Sequence, residues 1–191
     1  MSHRKVKVER VLFLMPNTRW FEGRYWHHFP YVTGLLAAVI KDGGYDIHVL
    51  DANIDDLSEE EVKRQIADIK PTVVCVSAMT VMYRRITHAA FRCIKEVDEN
   101  IISVVGGIYP TQSLNLVIKD PNIDFIISGE GEERLLPFLK ALEAGDGFDK
   151  IDGISYRKEG EKNFTVRANR QFIQNLDSLP FPDYSLFNMK K

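Results

Sequence analysis

Apolar residues recur along this chain in two alternating patterns: short unbroken runs, and stretches in which they fall three and four positions apart. Runs at residues 8–15, 46–50, 72–77, 101–105 and 123–127 read as strands buried on both faces. The helical spacing fills the intervals. Residues 31–41 put Leu35, Leu36, Val39 and Ile40 on an inward face and stop at Gly43-Gly44. Ser58 and Glu61 have the spacing of a capping box ahead of Val62, Ile66 and Ile69. Ile86, Ala89, Ala90, Cys93, Ile94 and Val97 share one face of a third helix. A shorter helix is predicted over 111–119, stopped by Asp120-Pro121, and another over 132–143, with Leu135, Leu136, Leu139 and Leu142 inward and Gly145 beyond its end. Five strands alternating with five helices predict an α/β fold, a doubly wound five-stranded parallel sheet of Rossmann-like or flavodoxin-like winding.

The pattern changes after Gly147. Residues 151–157 and 164–167 flank a polar turn and predict a β-hairpin. Residues 176–187 carry two prolines among aromatics and predict an extended connector that packs on nothing. The expected organisation is therefore an α/β domain over 1–147, a hairpin appendage over 148–172 and a linker over 173–191, in a chain that reads as a piece of something longer.

Composition narrows the function without naming it. The 191 residues are 45% hydrophobic and 27% charged, as in an ordinary globular domain, and a formal net charge of -2 gives no electrostatic case for nucleic acid or an anionic membrane. No apolar run approaches the ~18 residues of a membrane span, and the start of the chain has no apolar stretch of signal-peptide kind, so the expectation is a cytoplasmic protein. The two cysteines, Cys75 and Cys93, read as small buried hydrophobes, too few for a four-cysteine zinc site or a three-cysteine cluster.

In an open α/β sheet, ligands bind beyond the carboxyl ends of the strands, so the loops that leave those ends hold the candidate chemistry. The first, residues 16–30, is about twice the usual length and holds both tryptophans, two arginines and the pair His27-His28; it reads as a lid or as a surface loop over an aromatic cluster. The third strand exits through Ser77-Ala78-Met79-Thr80, whose hydroxyls could hydrogen-bond a heterocycle at a pocket rim. The fourth exits through Gly106-Gly107-Ile108-Tyr109-Pro110-Thr111, where paired glycines allow a ligand close to the backbone, or simply make a turn. The fifth exits through Ser128-Gly129-Glu130-Gly131-Glu132-Glu133, whose acids suit a helix start and whose backbone, not its carboxylates, is expected to face any phosphate. His48 reads as a half-buried strand residue, and His88 as solvated or partly packed.

Taken together, Ser77-x-Met79, Gly106-Gly107 and Gly129-Glu130-Gly131-Glu132 on one sheet edge, with residues 29–35, 104–111 and 176–187, resemble the amino-terminal cobalamin-binding domain of cobalamin-dependent radical SAM enzymes over nearly the whole chain. The resemblance implies that residues 1–147 bind cobalamin and that Ser77 to Thr80, Gly106 to Thr111 and Gly129 to Glu132 hold it. The Asp-x-His-x-x-Gly sequence of methionine-synthase-like domains is missing from the first loop. By resemblance, cobalamin would bind with its own base displaced and no protein histidine on cobalt, and Asn17, Thr18, Arg19 or Trp20 would lie near the metal's lower side. The resemblance also implies a partner, a radical SAM domain of the same polypeptide with S-adenosylmethionine and a [4Fe-4S] cluster. That parent would act as a methyltransferase or cyclase on a small-molecule or lipid substrate. It would abstract hydrogen with a deoxyadenosyl radical and then transfer methyl from methylcobalamin. The Cys-x-x-x-Cys-x-x-Cys motif of such a domain does not occur here, so this chain alone is not expected to run radical chemistry.

Three other readings compete. A dinucleotide-binding oxidoreductase needs Gly-x-Gly-x-x-Gly after the first strand, which is missing although Asp51 ends the second. A phosphoacceptor receiver needs an aspartate where Ser77 stands and a lysine near Ser128. A partner-binding or regulatory module of the same fold that has lost its cofactor stays open. A bulky residue at Gly106 or Gly107 is expected to abolish cobalamin uptake in a domain that still folds.

Overall fold

A computed structural model describes residues 5–22, 30–41, 43–158, 161 and 163–187. The elements follow in the order β1 (Arg10–Met15), α1 (Tyr31–Lys41), β2 (Asp46–Asp51), α2 (Glu59–Ile69), β3 (Val73–Ser77), α3 (Arg84–Val97), β4 (Ile102–Gly106), α4 (Ile108–Gln112), α5 (Leu114–Val117), β5 (Phe125–Ile127), α6 (Leu135–Ala144), β6 (Ile154–Arg157) and β7 (Phe164–Thr165). Among the described residues they form one seven-stranded sheet in the order β2-β1-β3-β4-β5-β6-β7, with β1 to β5 parallel and β6 and β7 antiparallel. The winding is flavodoxin-like, and the order reverses between β1 and β3, which sets the crevice there.

The unbroken apolar runs have a simple cause. Alternate residues of each parallel strand enter two separate cores. Leu12, Leu14, Val74, Val76, Val105 and Ile126 meet Val62 and Ile66 of α2 and Ile86, Ala90 and Ile94 of α3. Val11, Phe13, Val73, Cys75, Val104, Phe125 and Ile127 meet Ala37 and Ile40 of α1 and Leu135, Phe138 and Leu139 of α6. Helix α2 starts on the predicted capping box: Ser58 Oγ accepts from the Glu61 amide, and Glu61 accepts from the Ser58 amide. A cap of that kind stabilises a helix start by about 1 kcal/mol. Gly145, at φ 75°, closes α6 in the left-handed conformation that glycine adopts without strain.

Several expectations change. The predicted hairpin extends the parallel sheet, because β6 pairs with β5. The single helix over 111–119 is two short ones, broken at Ser113, and the first starts at Ile108 directly after Gly107; Pro110 is tolerated in its first turn, where the missing N–H has no helical partner to lose. Helix α6 begins at Leu135 and not at Glu132, so Glu130 and Glu132 precede the helix and its dipole does not account for them. On α1 the fully buried residues are Thr33, Gly34, Ala37 and Ile40; Leu36 and Val39 pack only at the edge of the core and Leu35 is half-buried.

Ala37 and Ile40 face the sheet core and Thr33 the strand ends, whereas Gly34 is covered by the connector, which packs where no packing was expected. A Cβ on Gly34 would lie 3.3 Å from Pro182 and 3.4 Å from Phe187, so the absent side chain lets the connector lie against the helix. The Asp183 amide donates to Gly34 O at 3.0 Å, and Lys41 Nζ donates to Asp183 Oδ2 at 2.6 Å. Within the connector, Phe181 and Tyr184 stay exposed. Hydrogen bonds from Lys41 and from Ser185 hold the Asp183 carboxyl at about 2, below its ordinary 3.8. A carboxylate whose pKa is lowered on folding adds stability above its unfolded pKa, and that stability is lost as pH falls through the folded value. The contact therefore holds from neutrality to about pH 4 and is released between there and about pH 2. Amide hydrogen exchange of residues 182–187, corrected for intrinsic rates, should show that loss, and Asp183→Asn should remove the acid step by loosening the segment at every pH.

Candidate functional site: a cleft at the carboxyl edge of the sheet

Where β3, β4 and β5 end, a cleft of about 360 Å³ opens between the sheet and helices α1 and α6. Its sides follow from strand periodicity. Cys75 and Ser77, and Val104 and Gly106, point to the same side of the sheet two residues apart, so the lower residue of each pair makes floor and the upper makes mouth. Phe13, Cys75, Val104, Ile127 and Leu135 form the apolar depth; Val32 and Leu36 of α1 form one wall. Ser77, Thr111, Gln112, Glu130 and Glu132 bring polar groups to the opening. A second hollow of about 230 Å³ adjoins it over the β1/β3 crevice, sharing Val32, Ser77, Gly107 and Ile108 and adding Met15, Thr18, Asn53, Met79 and Tyr83.

The two adjacent glycines of the β4 exit are required for different reasons. Gly107 sits at φ 99°, ψ -167°, a region open essentially to glycine alone, and a Cβ there would lie 2.7 Å from Ala78 O. That close approach is part of the backbone weave: the Ala78 amide donates to Gly106 O at 2.8 Å, and the Tyr109 amide donates to Ala78 O at 2.9 Å. Gly107 is therefore needed by the fold. Gly106 has no positive φ, and a Cβ there would meet nothing nearer than Ile127 O at 3.7 Å. The backbone makes no demand for glycine at 106. What a side chain would fill is the cleft.

The β5 exit is held from outside. Arg134, nearly buried, donates to Glu130 O, to Asp152 O at 2.9 Å, to Asp152 Oδ2 at 3.1 Å, to Asn169 Oδ1 at 2.7 Å and to Gln171 O at 2.7 Å. It ties the loop, the β6 approach and the segment after β7 into one unit. Burial opposes the charge on Asp152, but hydrogen bonds from the Arg170 and Gln171 amides and from Arg134 outweigh it and keep the carboxyl below its ordinary range. The Glu130 carboxylate accepts from the Ile173 amide at 2.6 Å. Thr111 Oγ1 donates to Gly107 O at 2.7 Å and accepts from the Gly129 amide at 2.9 Å, which locks the β4 and β5 exits together.

Of the residues singled out in the sequence, Ser77, Gly106, Gly107, Ile108, Thr111, Gly129, Glu130, Gly131 and Glu132 line the main cleft, and Thr18, Ala78 and Met79 line the adjoining hollow. Others turn elsewhere. Asn17 is buried and bonded to Asp56 Oδ1 and Leu57 O; Trp20 packs in the α2–α3 core with its indole N–H on Leu57 O at 2.9 Å; Arg19 pairs with Asp56 at 3.0 Å. Thr80 accepts from the Met82 amide as a cap. Tyr109 and Pro110 are buried behind the cleft. His88 is not merely solvated: its ring joins Asp120 Oδ2 at 2.5 Å to Tyr109 OH at 3.0 Å, bracing α4 from below. Burial opposes the Asp120 charge, yet the His88 and Asn122 hydrogen bonds keep its pKa below the ordinary range. His27 and His28 lie outside the described residues. Sequence reading missed the floor, Cys75 above all; the signal was available, since Cys75 stands two positions before Ser77 on the same strand. Burial pushes its thiol up to about 12, so it is a neutral thiol and no nucleophile.

Among the described residues, no group of three or more histidine, cysteine or acidic side chains could hold a metal ion, and no helix is long and apolar enough to cross a membrane. Comparison with known proteins agrees with the geometry. The solved structures most informative about the fold are the cobalamin-dependent S-adenosylmethionine radical enzyme OxsB with aqua-cobalamin and S-adenosylmethionine bound (TM-score 0.73, 19% identity, 93% of this chain and 24% of that one). The radical S-adenosylmethionine methyltransferase TsrM from Kitasatospora setae, with cobalamin and a [4Fe-4S] cluster bound, is similar to the same degree (TM-score 0.70, 17% identity, 92% and 31%). Among sequences, the chain is 32% identical over 189 residues to an anaerobic magnesium-protoporphyrin IX monomethyl ester cyclase of Rubrivivax gelatinosus, covering 95% of this chain and 33% of that one. It is 31% identical over 192 residues to an uncharacterized methyltransferase of Pyrococcus horikoshii, covering 97% and 40%. The chain thus spans between a third and two fifths of the length of these two relatives. A sequence model described as the B12 binding domain matches residues 27–138, more than half of the chain, and with the cleft and its open glycine in place the conclusion is plain: this chain belongs to the B12-binding domain family.

Proposed function

We propose that this chain binds cobalamin with the nucleotide arm in the cleft, and that it presents the corrin to a radical SAM domain of the same polypeptide for methyl transfer or related radical chemistry. The observation that carries the reading is Gly106, a strand-end residue with ordinary backbone whose missing side chain leaves the cleft open. A cleft of about 360 Å³ is at the small end of the ~300–1,000 Å³ typical of small-molecule sites, which suits one arm of a large cofactor better than the whole of it.

Bound cobalamin supplies the chemistry, a cobalt centre that carries and releases a methyl group; the protein supplies shape and exclusion of water. Phe13, Cys75, Val104, Ile127 and Leu135 would bury the base, and Ser77 and Gln112 stand at the opening for the sugar and phosphate. One oxygen of the Glu130 carboxylate accepts from the Ile173 amide, and backbone rather than the acids of this loop would face that phosphate, since like charge disfavours the carboxylates. Held in the cleft, the base would be kept from cobalt. Of the described first-loop residues, Pro16, Thr18 and Pro30 line the adjoining hollow; in keeping with the missing Asp-x-His-x-x-Gly sequence, no protein histidine would ligate cobalt.

Addition of hydroxocobalamin to the chain, followed by visible absorption, should give saturable uptake of one equivalent. The reduced complex should give an electron paramagnetic resonance spectrum without nitrogen superhyperfine splitting. A histidine nitrogen signal would contradict the axial assignment, and no uptake at all would leave the cofactor-free regulatory module as the better reading.

A further inference from the structure

The depth of the cleft is more specific than a general apolar hole. Its floor is carbon, except for the one thiol of Cys75, which burial keeps neutral. The backbone at that level is committed to the sheet: Phe13 is in register with Cys75, Cys75 with Val104, and Val104 with Phe125. Hydroxyl, amide and carboxylate groups come only at the opening, one strand step above, and Thr111 there is already spent on Gly107 and Gly129. A ligand group that reaches the floor therefore finds surfaces to touch and, among the described residues, no strong hydrogen-bond partner.

Naturally occurring corrinoids differ in the base at the end of the nucleotide arm. In a benzimidazole both nitrogens lie in the five-membered ring next to the sugar, and the far half is hydrocarbon. In a purine such as adenine the far ring carries two nitrogens and an amino group with two donors. From this contrast we infer that the chain selects its corrinoid by lower base, accepting a benzimidazole and rejecting a purine; the inference rests on the cobalamin reading above. A buried donor or acceptor left unpaired weakens binding on the order of tenfold to a hundredfold, so the discrimination should be at least tenfold. Cys75 and Val104 are then specificity-determining residues, because each sits where the far ring would lie and each can be exchanged for a hydroxyl of similar shape.

The test is to titrate the chain with three corrinoids in their aquo forms: cobalamin, the adenine-containing analogue and cobinamide, which lacks the nucleotide. Cobalamin should bind tightest, with the adenine analogue at least tenfold weaker. Cobinamide should be weaker than cobalamin too, since it leaves the cleft empty. Cys75→Ser, and separately Val104→Thr in case the first destabilises the core, should narrow the gap between cobalamin and the adenine analogue several-fold by offering that ring a partner. Equal binding of cobalamin and the adenine analogue, with cobinamide weak, would overturn the base selection and leave the cleft reading standing. Cobinamide binding as tightly as cobalamin would overturn both, because the arm would then contribute nothing.

Discussion

Gly106→Phe should lose cobalamin binding by at least a hundredfold while the domain stays folded, with thermal stability unchanged or raised. The backbone at 106 is accessible to any residue, and the first carbon of a side chain meets nothing within 3.7 Å. The benzyl group has one place to go, the apolar cleft between Val104, Leu36 and Leu135. There it occupies the volume assigned to the base. A ring that enters space already empty displaces no neighbour, so it avoids the usual cost of overpacking and can stabilise the protein. The neighbouring position gives the contrast. Gly107→Ala forces a side chain into a backbone region closed to it and against Ala78 O, at a cost of about 1–3 kcal/mol in stability. Binding lost with stability kept at 106, against stability lost at 107, separates a glycine kept for a ligand from one kept for the chain. Circular dichroism melts beside absorption titrations read both, and a Gly106→Phe protein that binds normally would move the cofactor elsewhere.

Arg134→Ala should destabilise the chain by about 3 kcal/mol, because it strips a guanidinium from a site where the Asp152 and Asn169 side chains and three backbone carbonyls are built around it. The Asp152 carboxylate keeps its two amide donors and some solvent, which holds the loss below the worst cases of a stranded buried charge. For a domain of this size the change corresponds to a drop of about 6–12 °C in melting temperature. Arg134→Lys should recover little of it, since one ammonium cannot fill the three directions that the planar fork serves. Because Arg134 also fixes Glu130 O at the cleft wall, cobalamin affinity should fall in both variants. A melting temperature within 2 °C of the wild type for Arg134→Ala would show that the network stabilises little.

Much of this architecture was legible from the residues. Two-sided burial of β1, β3 and β4 shows as unbroken runs of valine, leucine and isoleucine, and the α2 start shows as Ser58 and Glu61, because both are local codes. What escaped was set by distant partners. Gly34 of α1 is buried because Pro182 and Phe187, about 150 positions later, cover it. Trp20 looked like a ligand contact in a long loop until its N–H found Leu57. Glu130 looked like a helix-start acid, whereas its carboxylate serves the Ile173 amide. The Gly106-Gly107 pair could be picked out by eye, but only backbone angles and neighbours tell which of the two leaves room. Cys75 was read as core filler, correctly as to burial, and its place at the cleft floor needed the register of β3 against β4 to be seen.

Cobalamin binding of this kind requires the nucleotide arm to enter the protein. The most direct measurement is a crystal structure of the chain grown with hydroxocobalamin. The benzimidazole should be off cobalt and seated between Gly106, Leu36 and Leu135, with its far edge against Cys75 and Val104. A corrin lying on the strand ends with its base still on the metal, and the cleft empty beneath it, would show that the arm stays outside.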